Sequence, residues 1–188
     1  MKGPAALIGV SFLVFGLAGC SSGGSNTSDT QTVTGSISGT AAADLINSNS
    51  QGPFTFPSLV FTGPVTTSAT NATISTSTTQ TIVTSAGSFT VTLRLRNKPQ
   101  TQRTWTGEHS DMCTFSQNAR TGNYIVDGSE STGKFAGAIG NGSYVITIHG
   151  AAPLLTGKST CTTPDTGDVV PQGASISFRA VGPLAPKS

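Results

Sequence analysis

Charged side chains are scarce in this chain of 188 residues, and their scarcity argues against several classes of function. Asp, Glu, Lys and Arg together make up 10% of the residues, whereas about 25% is usual in soluble domains. The formal net charge is only +2, and the basic residues form no stripe along the sequence. A protein that binds nucleic acid through its phosphates needs such a stripe. The composition therefore argues against nucleic acid as a partner.

Residues suited to catalysis and metal binding are also few. The chain has two histidines, and no serine of residues 32–183 lies in a Gly-x-Ser-x-Gly nucleophile elbow. Glu108, His109 and Asp111 stand close together, and with His149 they could ligate a metal. Successive side chains of a strand point to opposite faces, so Glu108 and His109 would converge only at a turn. A polar loop is the simpler interpretation. We predict no metal site, no cofactor and no catalytic residues. These expectations favour a non-enzymatic protein, although the sequence leaves the alternative of an enzyme open.

Long hydrophobic runs are absent except for one near the start of the chain. The apolar segment from Ala5 to Leu17 follows a single charge at Lys2. It is shorter than the roughly 20 residues that a membrane-spanning helix needs. A cleaved export signal fits this length and this charge better than a spanning helix does.

The residues that close this run are Leu17-Ala18-Gly19-Cys20, and they resemble the lipobox of bacterial lipoprotein signal peptides. The resemblance implies cleavage before Cys20, a diacylglycerol on its sulfur and an acyl chain on its new amine. Each buried CH₂ adds about 0.8 kcal/mol of membrane affinity, so two or three chains would anchor the protein to a lipid bilayer of the cell envelope. Because Ser21 rather than Asp follows, resemblance to enteric lipoproteins implies the outer membrane if the source has two membranes. An ordinary secretory signal without lipid is the alternative.

Composition divides the chain into four segments. Residues 1–19 are the predicted lipoprotein signal peptide, and residues 20–31 are the lipidated cysteine with a disordered tether. Residues 21–31 contain no apolar side chain that could repay the entropy of ordering. Residues 32–183 are predicted to form a single domain, which is long enough to bury a core. Residues 184–188 are predicted to be a C-terminal tail.

Cysteine is scarce as well, and its spacing suggests one crosslink. The chain has three cysteines, and lipidation of Cys20 leaves Cys113 and Cys161. In an exported protein two such cysteines favour a disulfide. In the entropy model, closing the loop between them would stabilise the fold by about 4 kcal/mol. Two buried free thiols are the alternative.

Helical periodicity is missing after residue 31, whereas alternation of apolar and polar residues is frequent. In residues 88–96, Phe89, Val91 and Leu93 alternate with polar residues that include Arg94 and Arg96, as in a half-buried strand. The two arginines could bind an anion or line a barrel lumen, but a solvated face is the simpler interpretation. Further strands are predicted at 32–37, 54–61 with an edge or bulge at Pro57, 69–83, 104–108, 122–127, 142–149 and 174–180, and a short helical turn at 41–46.

Short strands separated by Gly-rich turns predict an all-β fold. An antiparallel β-barrel is the first choice and a β-sandwich the second. One Gly-rich segment, residues 128–134, has the spacing of a phosphate-binding P-loop. However, Phe135 replaces the Ser or Thr that would bind Mg²⁺, and the glycines that follow disfavour the helix that a P-loop requires.

The overlapping segment Thr132–Gly140 resembles instead the glycine turn of dirigent and allene oxide cyclase-like β-barrels. The resemblance implies an eight-stranded barrel with a cavity. The strands at 122–127 and 142–149 would then be neighbours in one antiparallel sheet, with Phe135 filling the core between them. The residues assigned to this structural turn are Gly133, Phe135, Gly137 and Gly140.

We therefore expect a membrane-anchored exported lipoprotein whose domain is a non-enzymatic binding or envelope-surface module. The alternative is a barrel that carries a small apolar ligand or acts as a cyclase-type enzyme. An apolar cavity of a few hundred cubic ångströms would favour this alternative, whereas a filled core would favour the module. A sandwich that binds polysaccharide by stacking would need a surface row of aromatic side chains.

Overall fold

The computed structural model describes residues 29–50, 52–97, 105–109, 112–154, 161 and 168–187, and of residues 106–109 only the backbone. These parts contain nine strands, one α-helix and two short 3₁₀ turns. The helix α1 is Thr40–Asn47, and the turns are Gly133–Phe135 and Pro171–Gly173. The strands are β1 (Asp29–Ser38), β2 (Phe54–Thr62), β3 (Thr67–Ile74), β4 (Thr79–Thr84), β5 (Gly87–Leu95), β6 (Thr106–His109), β7 (Met112–Val126), β8 (Ile139–Pro153) and β9 (Ser175–Ala185).

Eight strands form one antiparallel sheet in the order β3-β2-β1-β9-β8-β7-β5-β4, and β6 pairs with β7 outside this path. The sheet curls into a nearly closed barrel, so that β3 and β4 face each other across an open seam. Side chains bridge this seam: the hydroxyls of Thr67 and Ser85 lie 3.0 Å apart, and the backbone N–H of Ser75 donates to Oε1 of Gln80 at 2.8 Å. The antiparallel barrel is therefore confirmed, and the described strands do not form the two packed sheets of a sandwich.

The first strand, β1, pairs with the last strand, β9, along its full length. The barrel therefore extends beyond both predicted bounds of the domain, residues 32 and 183. The pairing of β1 with β9 runs from Asp29 opposite Leu184 to Ser38 opposite Ser175. The strand thus begins three residues before the predicted start at residue 32, and β9 passes the predicted end at residue 183. Residues 29–31 belong to the barrel and not to the tether.

The reason for this difference is the side chain of Gln31, which is polar yet only 1% exposed. Its Nε2 donates to the carbonyls of Thr62 and Val65 at 3.0 Å, and its Oε1 accepts from the N–H of Val65 at 3.0 Å. Gln31 therefore satisfies the backbone of the turn between β2 and β3. Polarity alone suggests a solvated tether, because it does not reveal that a buried amide can be fully hydrogen-bonded.

The helix α1 confirms the turn predicted at residues 41–46. It buries Ala42, Ala43 and Ile46 against the core and contacts β1, β8 and β9. Its last residue, Asn47, donates to the carbonyl of Val169 at 3.0 Å and accepts from the N–H of the same residue at 2.8 Å. The helix thus fixes the segment that leads into β9.

The predicted irregularity at Pro57 occurs inside a strand that continues past it. Phe56 and Leu59 are both buried, whereas Pro57 and Ser58 between them are exposed, so the alternation shifts by one residue. The partner strand shifts at the same level, where Asn71 has a positive φ of 50°. Because both strands shift together, the register is the same on either side of the irregularity.

Candidate functional site

The interior of the barrel is filled by aromatic side chains. Near one end, the ring of Phe135 lies 4.8 Å from that of Phe89 and 5.8 Å from that of Phe61, measured between centroids. Deeper in the barrel, Phe178 lies 5.9 Å from Phe56 and 6.3 Å from Tyr144. These rings belong to one continuous buried cluster. The cavity that the barrel resemblance implies is therefore occupied, in the described part of the chain, by the protein's own side chains.

The predicted structural turn of Gly133, Phe135, Gly137 and Gly140 lies at one end of the barrel. Gly133 and Gly137 have φ of 61° and 68°, a region that other residues enter at a cost. The Phe135 side chain between them is fully buried. The chain then enters β8 without forming a helix after the glycines, so the arrangement a P-loop requires is not formed. Gly140, in β8, lies opposite Leu184 of β9.

The strands on either side of this turn, β7 and β8, are neighbours in the sheet, as the turn predicted. Their pairing is interrupted between Asn118 and Arg120, where β7 carries a bulge. The bulge leaves two consecutive buried residues, Ala119 and Arg120, in β7. Arg120 is therefore 6% exposed although it carries a charge. The sequence offers no alternation that marks this change, and Arg120 was not among the predicted site residues.

Arg120 lies near the buried Tyr144, and burial governs the titration of both side chains. Burial lowers the pKa of Arg120, and the nearby Tyr144 partly opposes this effect. Burial likewise raises the pKa of Tyr144, and Arg120 acts in the opposite direction. The Tyr144 hydroxyl donates to the carbonyl of Thr76 at 2.9 Å. Tyr144 is neutral at neutral pH, and its hydroxyl proton is held in this hydrogen bond. The side chain is therefore a structural group and not a general base.

The two remaining cysteines come together as expected. Cys113 in β7 and Cys161 lie at disulfide-bonding distance, with their Cα atoms 5.5 Å apart. This pair joins Cys161 to β7, where Cys113 is fully buried.

The candidate metal ligands are not brought together by the described part of the chain. Asp111 and the side chains of Glu108 and His109 lie outside the described residues, as does Cys20. His149 is exposed on β8, opposite Ser116 and Ser175. Within the described residues, no group of three His, Cys, Asp or Glu side chains could hold a metal ion.

The outer face of the barrel carries a groove of about 500 Å³, which we call the arginine groove. Arg96 stands on one side of it and Arg179 on the other. The floor between them is formed by Thr121 of β7 and Val145 of β8, which pair with each other, and Val145 pairs in turn with Arg179. The remaining lining residues are Asn97, Asn118, Gly122, Asn123, Ser143, Tyr144 and Val181. None of the described residues that line it is acidic.

The side chains of Arg94, Arg96 and Arg179 are all exposed, so the two predicted arginines face outward and not into the lumen. Within the described ranges, none of the three makes an ion pair or a side-chain hydrogen bond. Their guanidinium groups are therefore available to a ligand. Arg179 was not singled out from the sequence, because its closeness to Arg96 depends on the pairing of β7, β8 and β9.

A second depression of about 390 Å³ lies beside the arginine groove and includes Arg94, Ile125 and Asp127. The hydroxyl of Ser129 donates to the Asp127 carboxylate at 2.6 Å. This bond is the main cause that lowers the pKa of Asp127, and the backbone N–H of Glu130 adds to it. The carboxylate is thus engaged in ordering its own turn, and the depression lacks the uniform charge of the arginine groove.

Comparisons with known proteins add no relative to these observations. No family model matches the chain, and neither the curated proteins nor the solved structures give a significant match. Among the described residues, no helix is both long enough and apolar enough to cross a membrane.

Proposed function

We propose that this chain is an exported lipoprotein of the bacterial cell envelope, anchored through acylated Cys20, whose barrel is a non-enzymatic binding module. The filled interior is the single observation that carries the second half of this proposal. Phe54, Phe56, Phe61 and Phe135 are at most 1% exposed and occupy the space that a carried ligand would need. The alternative, a carrier of a small apolar ligand or a cyclase-type enzyme, needs an open lumen and finds less support.

The anchor half of the proposal is supported by the order of the segments. The apolar run, the lipobox and the polar residues after Cys20 precede a strand that begins at Asp29. Nine residues from Cys20 to Asp29 can span at most about 30 Å, so the barrel would stay close to the bilayer. Asp29 lies at the barrel end where β9 finishes, which is also the end of Ile139 and the Phe135 turn. That end would face the membrane.

The cysteine pair and Ser21 refine the location. A disulfide between Cys113 and Cys161 suits an oxidising compartment outside the cytoplasm. Ser21 after the lipidated cysteine favours the outer membrane in a bacterium with two membranes. The partners would be the lipid bilayer, through Cys20, and a component of the envelope, through the outer face of the barrel.

Fractionation of cells that express a Cys20→Ser variant tests this proposal. The wild-type protein should take up radiolabelled palmitate and sediment with the envelope, whereas the variant should do neither. The matched control is Cys161→Ser, which makes the same cysteine-to-serine change elsewhere in the chain and should leave labelling and sedimentation unchanged. Palmitate uptake and envelope sedimentation by Cys20→Ser at wild-type levels would refute the anchor.

A further inference from the structure

We propose that the arginine groove binds an acidic polysaccharide, a chain of sugars that bear carboxylates. This inference rests on the proposed function, because it names the ligand of the binding module. The groove combines two features that such a ligand requires. Arginines stand on both sides, and the floor between them carries hydroxyl and amide groups.

The spacing of the arginines suits a chain. Arg96 continues the strand β5, and its N–H donates to the carbonyl of Thr121 at 2.9 Å. Arg96 and Arg179 are therefore separated by three strand steps, which corresponds to about 14 Å between their Cα atoms. A single polysaccharide chain lying along the strands would fit between the two side chains, and each guanidinium could grip a carboxylate in a bidentate pair.

The floor suits the neutral part of the same ligand. Asn123 and Ser143 are exposed and pair across β7 and β8 at one level, and the exposed Asn118 lies near Thr147, whose hydroxyl donates to it at 3.1 Å. Short amides and hydroxyls can both donate to and accept from sugar hydroxyls. The described lining residues include no carboxylate that would repel the acidic groups of the polysaccharide.

Other polyanions fit the groove less well. The flat surface of an anionic bilayer would touch only the tips of the arginine side chains and leave the floor unused. Single-stranded nucleic acid is usually held by aromatic side chains that stack on the bases. The large hydrophobic side chains exposed in the described part of the chain are Val60, Val83, Ile125 and Ile139, all of them aliphatic.

Titration of the full-length protein in detergent micelles with polygalacturonate tests the inference by calorimetry. We expect binding that weakens as NaCl rises from about 0.05 to about 0.5 M, because exposed charges are screened. Fully methyl-esterified polygalacturonate, the same chain without charge, should bind at least about tenfold more weakly, since charge-assisted hydrogen bonds are the strong ones. Equal binding of the two polymers would overturn the inference.

Variants assign the binding to the groove. Arg96→Gln and Arg179→Gln should each weaken binding about tenfold, and the double variant about a hundredfold, because the two sites are far enough apart to be additive. Arg96→Lys should recover part of the loss, since it keeps the charge but not the fork. The control Lys134→Gln removes one exposed cation near the Phe135 turn and should bind as the wild type does. Loss by the control equal to that of the arginine variants, or no loss in the arginine variants, would overturn the assignment.

Two further binding measurements identify the class of polyanion and distinguish failure of this inference from failure of the proposed membrane anchor. The Cys20→Ser protein should bind polygalacturonate with wild-type affinity, so its palmitate and sedimentation results bear only on the anchor. Tighter binding of this variant to phosphatidylglycerol vesicles or to single-stranded DNA than to polygalacturonate would refute the acidic polysaccharide, whatever the anchor does.

Discussion

Phe135 offers the most direct test of how the barrel end is closed. Its side chain is fully buried, and its ring contacts those of Phe89 and Phe61. Truncation of a buried Phe to Ala costs about 3 to 5 kcal/mol because it removes apolar contacts and leaves a cavity. Favourable ring pairs add about 0.5 to 1.5 kcal/mol beyond the buried area. We therefore expect Phe135→Ala to lower the free energy of unfolding by about 4 to 5 kcal/mol.

Urea unfolding followed by circular dichroism measures this loss. With an m-value of about 2 kcal/mol/M, the midpoint for Phe135→Ala should fall by about 2 M. Phe135→Leu keeps most of the apolar volume, so it should lose only about 1 to 2 kcal/mol and remain folded if the Ala variant does not. The control is Ile139→Ala in the same region, where the side chain is 77% exposed and the loss should stay within about 0.5 kcal/mol. Equal losses at Phe135 and Ile139 would show that the ring does not close the core.

Three further predictions concern a buried amide, a buried phenol and the crosslink. Gln31→Leu should lower the free energy of unfolding by about 2 to 4 kcal/mol, because backbone groups of Thr62 and Val65 lose their buried partners. The control Thr30→Val, at an exposed neighbour, should change the free energy of unfolding by less than about 0.5 kcal/mol. Equal effects of the two substitutions would contradict the role of the amide. Burial raises the pKa of Tyr124 to about 12 from an ordinary value of 10.0. The unfolded state therefore loses this proton at a lower pH than the folded state does, and the free energy of unfolding should fall as pH rises from about 10 to about 12. Urea titrations across this range should show a smaller fall for Tyr124→Phe than for the wild type, and an identical fall would refute the assignment. Cys161→Ser should lower the free energy of unfolding by about 2 to 4 kcal/mol through the lost loop constraint, and addition of a reductant should then destabilise the wild type but not the variant.

The sequence predicts those features of the fold that depend on local pattern. Alternation in residues 88–96 predicted β5, with Phe89, Val91 and Leu93 buried as expected. The glycines around Phe135 predicted a tight turn. Positive φ angles favour glycine, so a turn of this kind that buries an aromatic ring is recognisable in the sequence as glycines on both sides of a Phe. The bounds of the barrel were harder to predict, since a buried Gln31 has the same polarity as a solvated one.

The candidate site depends on pairings between distant strands, so it could be predicted only in part. Arg94 and Arg96 stood out because they alternate with apolar residues on one strand. Arg179 joins them through the register of β7, β8 and β9, and no local pattern contains that register. Arg120 is buried at a bulge that shifts the alternation within β7. The pairing of distant strands decides the position of Arg179, and a bulge in the pairing of β7 with β8 decides the burial of Arg120.

The scarcity of charge and the availability of the arginines have a common structural cause. Pairs of threonine hydroxyls join neighbouring strands on the outer face: Thr55 with Thr73 at 2.9 Å, Thr79 with Thr92 at 2.7 Å and Thr81 with Thr90 at 2.9 Å. Such cross-strand pairs stabilise a sheet without ion pairs. Acidic partners for the outer arginines are therefore not needed to hold the strands together, and the described residues supply none to Arg94, Arg96 or Arg179. A sheet held by hydroxyls leaves the guanidinium groups of Arg94, Arg96 and Arg179 available to a ligand on the outer face of the barrel.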